Sequence, residues 1–116
     1  MTVKAVIHVD SEDSKVLALA LGNIRNLLDQ IPDEPSDVRM IVNHYAVNFF
    51  KKEDAGKYAD IIAGLAGKGV RFLICNNSIQ RLGIDRTALL EPCEVVPAGI
   101  VELVRLQSQG FAYVKP

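Results

Sequence analysis

Five short apolar runs alternate with longer segments of mixed polarity along this chain of 116 residues. Runs rich in Val, Ile and other apolar residues predict strands at 3–9, 38–42, 70–75, 94–96 and 111–114. The longer runs are apolar at nearly every position, which is typical of strands that are buried on both faces of a parallel sheet.

The segments between these runs carry apolar residues at helical spacing. The spacing from Leu17 to Ile31 predicts a long amphipathic helix that ends before Pro32. Further helices are predicted from Glu53 or Asp54 through Ala66, from Asn76 to Gly83 and from 97–99 through Gln107, with one more turn at 86–90. The pattern indicates no particular conformation for 46–50.

Strands and helices therefore alternate, and each connection is long enough to cross over the sheet. This order predicts an α/β fold, with a parallel sheet that is covered by helices on both faces. The length of the chain fits a single domain over 1–116.

Polar residues follow the predicted strands where each strand ends. Parallel strands send their carboxyl ends to one edge of the sheet, which is where such folds place their binding sites. We therefore expect one rim to hold the candidate site residues, which are Asp10, Asn43, His44, Cys75, Asn76, Asn77, Ser78, Pro97, Ala98 and Gly99.

Cys75 ends the third predicted strand and precedes a helix, which leaves two interpretations open. Free N–H groups and the helix dipole favour a thiolate at this position, and Asn76, Asn77 and Ser78 offer further donors. A buried cysteine can equally be a small core residue. Position alone does not decide between a reactive and a structural thiol.

Cys93 is predicted to lie at the opposite edge of the sheet from Cys75, about 17–20 Å away along the strands. A disulfide needs Cα atoms within about 7 Å, so we expect neither a Cys75–Cys93 disulfide nor a shared metal site. Cys93 is interpreted as structural.

The remaining candidates have a functional and a structural interpretation each. His44 could act as an acid–base or stabilising group beside the thiol, or it could be a surface residue. His8 is predicted to be a core histidine with satisfied hydrogen bonds, and Asp10 to be first a cap or turn residue. The chain lacks a glycine-rich phosphate loop and spaced metal ligands, so we expect no cofactor and no metal.

Charge and composition limit the classes of partner and the cellular locations that we expect for this protein. Lys and Arg number 13 against 14 Asp and Glu, and this balance argues against nucleic acid or an anionic membrane as a partner. No apolar run approaches the ~20 residues needed to cross a bilayer. The strand predicted from residue 3 and the low count of two cysteines favour a cytoplasmic protein without a signal peptide.

The segment 45–50 is uncharged and contains Phe49 and Phe50 in succession. An exposed apolar patch of this kind commonly marks an interface, so the segment predicts self-association. The alternative is that both rings pack into the core of their own chain.

Several segments resemble DsrE-like proteins, namely 75–79 (CNNSI), 82–84 (LGI), 95–103 (VVPAGIVEL) and 107–116 (QSQGFAYVKP). The resemblance implies a three-layer α/β/α fold with a five-stranded parallel sheet, and homo-oligomers that are commonly trimers or hexamers. Relatives of known activity carry sulfur as a cysteine persulfide, and their sulfur-accepting cysteine matches Cys75. Many single-chain relatives have no established activity.

Three functional hypotheses follow. The first is a cytoplasmic sulfur carrier that holds a persulfide on Cys75 and exchanges it with sulfur-donor and sulfur-acceptor proteins. The second is an oligomeric module that binds a small molecule or a protein at the same rim without catalysis. The third, a flavodoxin-like nucleotide or flavin binder, ranks last because the phosphate-holding loop is missing.

Overall fold

The computed structural model describes residues 2–116 and contains one sheet of five parallel strands. The strands are β1 (Val3–Val9), β2 (Ser36–Val42), β3 (Arg71–Cys75), β4 (Cys93–Val96) and β5 (Ala112–Val114). Their order in the sheet is β4-β3-β2-β1-β5, and every neighbouring pair is parallel. The predicted parallel α/β fold is therefore confirmed.

Four α-helices connect the strands, with two short 3₁₀ helices at His44–Phe50 and Arg86–Ala88. They are α1 (Ser14–Gln30), α2 (Tyr58–Gly67), α3 (Asn76–Arg81) and α4 (Gly99–Ser108). Asp13 begins α1 as its N-cap, because its carboxylate accepts the Lys15 N–H at 2.9 Å. The segment 46–50, for which the pattern indicated no conformation, is a 3₁₀ helix.

The start of α2 was predicted wrongly. The helix begins at Tyr58 and not at Glu53 or Asp54. Gly56 has a left-handed backbone with φ 52°, and this conformation interrupts a right-handed helix. Residues 51–57 therefore form turns, and the helix starts after the glycine.

The two faces of the sheet are covered unequally. On one face, α1, α2, α3 and the 3₁₀ helix His44–Phe50 pack on the larger apolar core. On the other face, Leu103 and Leu106 of α4 pack with Phe111 on a small apolar cluster from the central strands. The same face also carries two ion pairs, Arg39–Asp37 and Arg71–Glu94, each at 2.9 Å, because these side chains alternate along the strands with the residues of the larger core.

Phe49 and Phe50 do not form an exposed patch. Phe50 is fully buried with its ring 6.0 Å from that of Phe72, and the half-buried Phe49 ring lies 6.4 Å from the Tyr58 ring. The alternative interpretation, in which both rings complete the core, is the one that holds. In the segment 45–50 only Tyr45 is an exposed large apolar residue, and most of the others lie on α4 and β5, at Ile100, Val101, Val104, Tyr113 and Val114.

Within residues 2–116, the longest helices are too short or too polar to cross a membrane.

Candidate functional site

Cys75 lies at the carboxyl edge of the sheet, between the end of β3 and the start of α3. Its side chain borders a cavity of about 160 Å³ at the point where the ends of β2 and β3 meet the first turn of α4. The cavity is lined by Asn43, His44, Cys75, Asn77, Ser78, Arg81, Ala98, Gly99 and Ile100. Seven of the ten residues predicted for the rim line this cavity.

Hydrogen-bond donors from two helices face the Cys75 sulfur. Burial of the thiol raises its pKa, since a thiolate is poorly solvated there. The N–H of Gly99, the hydroxyl and N–H of Ser78 and the N–H of Asn77 favour the thiolate, and together they leave the pKa of Cys75 below its ordinary value. The site thus lowers the thiol pKa without using any charged group, through the first turns of α3 and α4.

Ser78 is oriented toward the sulfur by a second contact. Its Oγ accepts the backbone N–H of His44 at 2.8 Å, which leaves the hydroxyl hydrogen free to donate to Cys75. His44 itself has φ 56°, a left-handed conformation that is uncommon for a residue with a side chain. The bond to Ser78 holds this turn, and the exposed His44 ring packs edge-on against Tyr45 at 4.3 Å.

A second cavity of about 160 Å³ adjoins the first and is lined by His44, Tyr45, Ser78, Arg81 and Leu82. His44, Ser78 and Arg81 border both cavities. The sequence interpretation missed Arg81 and Ile100. The helical spacing could have found Arg81, because residues three apart on a helix share one face and Ser78 was already a candidate.

Three predicted site residues lie away from the Cys75 cavity. The Asp10 carboxylate pairs with Lys115 beyond β5, and Asp13 rather than Asp10 caps α1. The Asn76 side-chain oxygen Oδ1 accepts a hydrogen bond from Arg86 Nη2 at 2.7 Å, and Pro97 is exposed outside the cavity lining. Each belongs to the rim, but its side chain points elsewhere.

His8 is buried in β1, and both of its ring nitrogens have partners. The prediction of a core histidine with satisfied hydrogen bonds is confirmed. One of the partners, Asn43, also lines the Cys75 cavity.

Gly99 allows α4 to approach the cysteine closely. A Cβ atom at this position would lie 3.2 Å from Ile41 Cγ2, 3.4 Å from Cys75 Cβ and 3.5 Å from Asn43 Cβ. Because glycine lacks that atom, the first N–H of α4 can reach the sulfur.

Cys93 is closer to Cys75 than the sequence suggested. It is the first residue of β4 and pairs with Phe72, while Cys75 pairs with Val96. The offset of three residues corresponds to about 10 Å along the strand, so the predicted separation of about 17–20 Å was too large. Both cysteines are free thiols, as the distance limit of about 7 Å for a disulfide requires.

The pKa values of the two thiols are shifted in opposite directions, and this predicts a difference in their reactivity. Burial raises the pKa of Cys93 to about 12, whereas the pKa of Cys75 is lowered. At neutral pH we expect iodoacetamide to modify Cys75 and to leave Cys93 unmodified until the protein unfolds. Peptide mass spectrometry over a range of pH checks this, and equal labelling of both thiols in the folded protein would contradict it.

Among residues 2–116, His, Cys, Asp and Glu side chains form no group of three or more that could hold a metal ion.

Comparisons with known proteins place this chain among related sequences and folds. A family model described as DsrE/DsrF-like matches residues 4–116. The solved structure of a protein of unknown function, MTH1491 from Methanobacterium thermoautotrophicum, matches 98% of this chain and 99% of that chain with 32% identity and a TM-score of 0.91.

The crystal structure of the YchN protein from E. coli matches with 19% identity, a TM-score of 0.79 and coverage of 98% and 99% of the two chains. At this identity the likeness shows the fold alone. No curated protein matches the sequence.

Proposed function

The chain belongs to the DsrE/DsrF-like family, and from that premise we propose that Cys75 carries sulfur as a persulfide and relays it to a partner. The observation that supports this most strongly is the set of donors around the Cys75 sulfur, which lowers its pKa beside an open cavity. A thiolate is the nucleophile in sulfur exchange, so a lowered thiol pKa favours the reaction.

The transfer consists of two thiolate displacements. The Cys75 thiolate attacks the outer sulfur of a donor persulfide, R–S–SH, and forms a new S–S bond. The S–S bond of the donor breaks at the same time, and its inner sulfur takes the electron pair, so the donor leaves as the thiolate R–S⁻. An acceptor thiolate then attacks the outer sulfur on Cys75, and Cys75 is released as a thiolate again.

The surroundings of Cys75 suit a persulfide. The outer sulfur extends one atom beyond Sγ into the cavity, which Ser78 and Arg81 border. A persulfide is anionic at neutral pH, and the guanidinium of Arg81 is a cation at the cavity wall. We assign Arg81 the role of attracting the anionic donor group and stabilising the charged product.

Mass spectrometry of the intact protein tests this function. After exposure to a polysulfide or to the persulfide of a cysteine desulfurase, we expect the protein to gain the mass of sulfur atoms and a reductant to remove it. A cytoplasmic location fits the proposal, because a reducing compartment keeps free thiols available for exchange.

A second candidate function is a module that binds a small molecule or protein without catalysis. The observation that favours it is the low exposure of Cys75, which is 5%. This candidate predicts that sulfur donors leave no reducible adduct on the protein.

We also propose that copies of the chain associate through α4, as trimers or pairs of trimers. Ile100, Val101 and Val104 expose 64%, 46% and 62% of their surface and form an apolar strip on this helix. Ile100 also lines the Cys75 cavity, so a second copy on the strip would border the site. Exposed apolar strips of this kind commonly mark interfaces.

The substitution Val104→Glu tests the association. A carboxylate in the strip has to be desolvated at an apolar interface, so we expect it to weaken association by at least about tenfold. Leu19→Glu on α1 is the matched control, because Leu19 is also exposed, at 54%, but lies on another helix. Sedimentation that shows monomeric wild-type protein at micromolar concentration would contradict the proposal.

A further inference from the structure

A buried histidine connects the edge of the sheet to the Cys75 cavity. His8 Nδ1 lies 2.7 Å from the Tyr113 hydroxyl, and His8 Nε2 lies 2.9 Å from Asn43 Oδ1. Tyr113 belongs to β5, His8 to β1, and Asn43 directly follows β2. The three side chains thus form one hydrogen-bonded row across three neighbouring strands.

With Asn43 Oδ1 facing His8, the chemistry of the three groups determines where the protons lie. Asn43 Oδ1 can only accept, so His8 Nε2 carries the hydrogen of this bond. In a neutral imidazole, the other nitrogen is then an acceptor, and the Tyr113 hydroxyl donates to it. Hydrogen bonds therefore run from Tyr113 to His8 and from His8 to Asn43.

The amide nitrogen of Asn43 is left for the cavity. Asn43 Nδ2 has no hydrogen-bond partner among residues 2–116, and no buried side-chain nitrogen or oxygen of those residues lacks a partner. It follows that Nδ2 is accessible from outside. Asn43 lines the Cys75 cavity. The Cβ atoms of Asn43 and Cys75 both lie within 3.5 Å of the position that a Cβ atom on residue 99 would take.

We propose that His8 and Tyr113 are positioning residues, which keep the amide NH₂ of Asn43 directed into the Cys75 cavity as a donor to an anionic sulfur ligand. The identity of that ligand rests on the proposed persulfide function, whereas the orientation of the amide does not. A carboxamide that turned over would present its carbonyl oxygen to the anion. In its Nε2–H tautomer His8 opposes this, because the turned amide would bring N–H against N–H; the turned amide requires the Nδ1–H tautomer, in which the Tyr113 hydroxyl accepts.

The charge preference of Cys75 alkylation reports on the amide. Iodoacetate is anionic and iodoacetamide is its neutral counterpart. The rate of Cys75 alkylation by iodoacetate divided by the rate with iodoacetamide therefore measures how well the cavity accepts an anion. For Asn43→Asp, which places a carboxylate at the wall, we expect the ratio to fall by at least about tenfold.

Variants of the two positioning residues separate orientation from bulk. His8→Leu removes the donor to Asn43, and we expect the ratio to fall about threefold or more. His8→Gln supplies an amide N–H in its place and should keep the ratio at the wild-type value. Tyr113→Phe, at a residue that is 42% exposed, should lower the ratio by about twofold and leave the fold intact.

The outcomes distinguish this inference from the proposed function, because alkylation needs no sulfur donor. An unchanged or increased ratio in Tyr113→Phe and in folded His8→Leu would overturn the positioning role. A lowered ratio in a protein that never gains reducible sulfur would overturn the persulfide function and leave the positioning role standing.

A second measurement is independent of thiol reactivity. We expect ¹⁵N NMR of the wild-type protein near neutral pH to show the Nε2–H tautomer of His8. An Nδ1–H tautomer would mean that the amide NH₂ faces His8 and not the cavity, and it would overturn the inference even if His8→Leu failed to fold.

Discussion

Replacing Cys75 by serine is expected to abolish the reducible gain of sulfur completely. A serine hydroxyl is not a thiolate nucleophile and cannot form the S–S bond of a persulfide. The measurement is intact-mass analysis before and after reduction, on protein treated with a polysulfide or a desulfurase persulfide. The fold should survive, since the change removes little volume and costs about 1–3 kcal/mol at most if the hydroxyl stays unpaired.

Cys93→Ser is the matched control for this experiment. Cys93 is half-buried, and its pKa is raised to about 12. It is the first residue of β4, whereas Cys75 is the last residue of β3. The Cys93 variant should therefore gain sulfur as the wild type does. Sulfur loading that persisted in Cys75→Ser and vanished in Cys93→Ser would show that Cys93 carries the sulfur, and it would contradict the proposed role of Cys75.

Gly99→Val should both destabilise the protein and suppress the reactivity of Cys75. The first added atom, Cβ, would already lie 3.2 Å from the buried Ile41 side chain, and the two methyl groups need further room. Overpacking of this kind typically costs about 1–3 kcal/mol. Relief requires α4 to move away from β3, which takes the Gly99 N–H from the sulfur and raises the pKa of Cys75.

Denaturant unfolding measures the first effect, and the pH dependence of Cys75 labelling measures the second. Gly64→Val is the control, because a Cβ at this exposed position of α2 meets nothing within 4 Å. Its free energy of unfolding should stay within about 0.5 kcal/mol of the wild type. Wild-type labelling in Gly99→Val would argue against a role for the α4 N–H in ionising the thiol.

The sequence was sufficient for the sheet because the strand signal is strong and repeated. The run Val3–Val9 is mostly apolar, and the connections between the strands are long enough for the crossovers that parallel pairing needs. The start of α2 was missed because helical spacing of apolar residues does not reveal that Gly56 adopts a left-handed backbone. The preference of residues 53–57 for a helix is weak, and the turn that contains Gly56 overrides it.

The site was predictable to the level of the rim and no further. Strand ends place Asn43, Cys75 and Gly99 together whatever the side chains do, and all three line the cavity. Asp10 and Asn76 point away because their partners, Lys115 and Arg86, lie 105 and 10 residues further along the chain. Side-chain direction depends on such contacts, which periodicity does not contain.

The position of β5 beside β1 gives the site a place in the order of folding. His8 and Tyr113 are separated by 105 residues, so their contact closes a loop that is nearly as long as the chain. Contacts of such long range form slowly and late, because the chain entropy is lost before the contact is gained. As the ribosome releases the chain, β1, β2 and β3 emerge well before β5. An incomplete chain would thus carry Cys75 without the tyrosine that completes the row beside it.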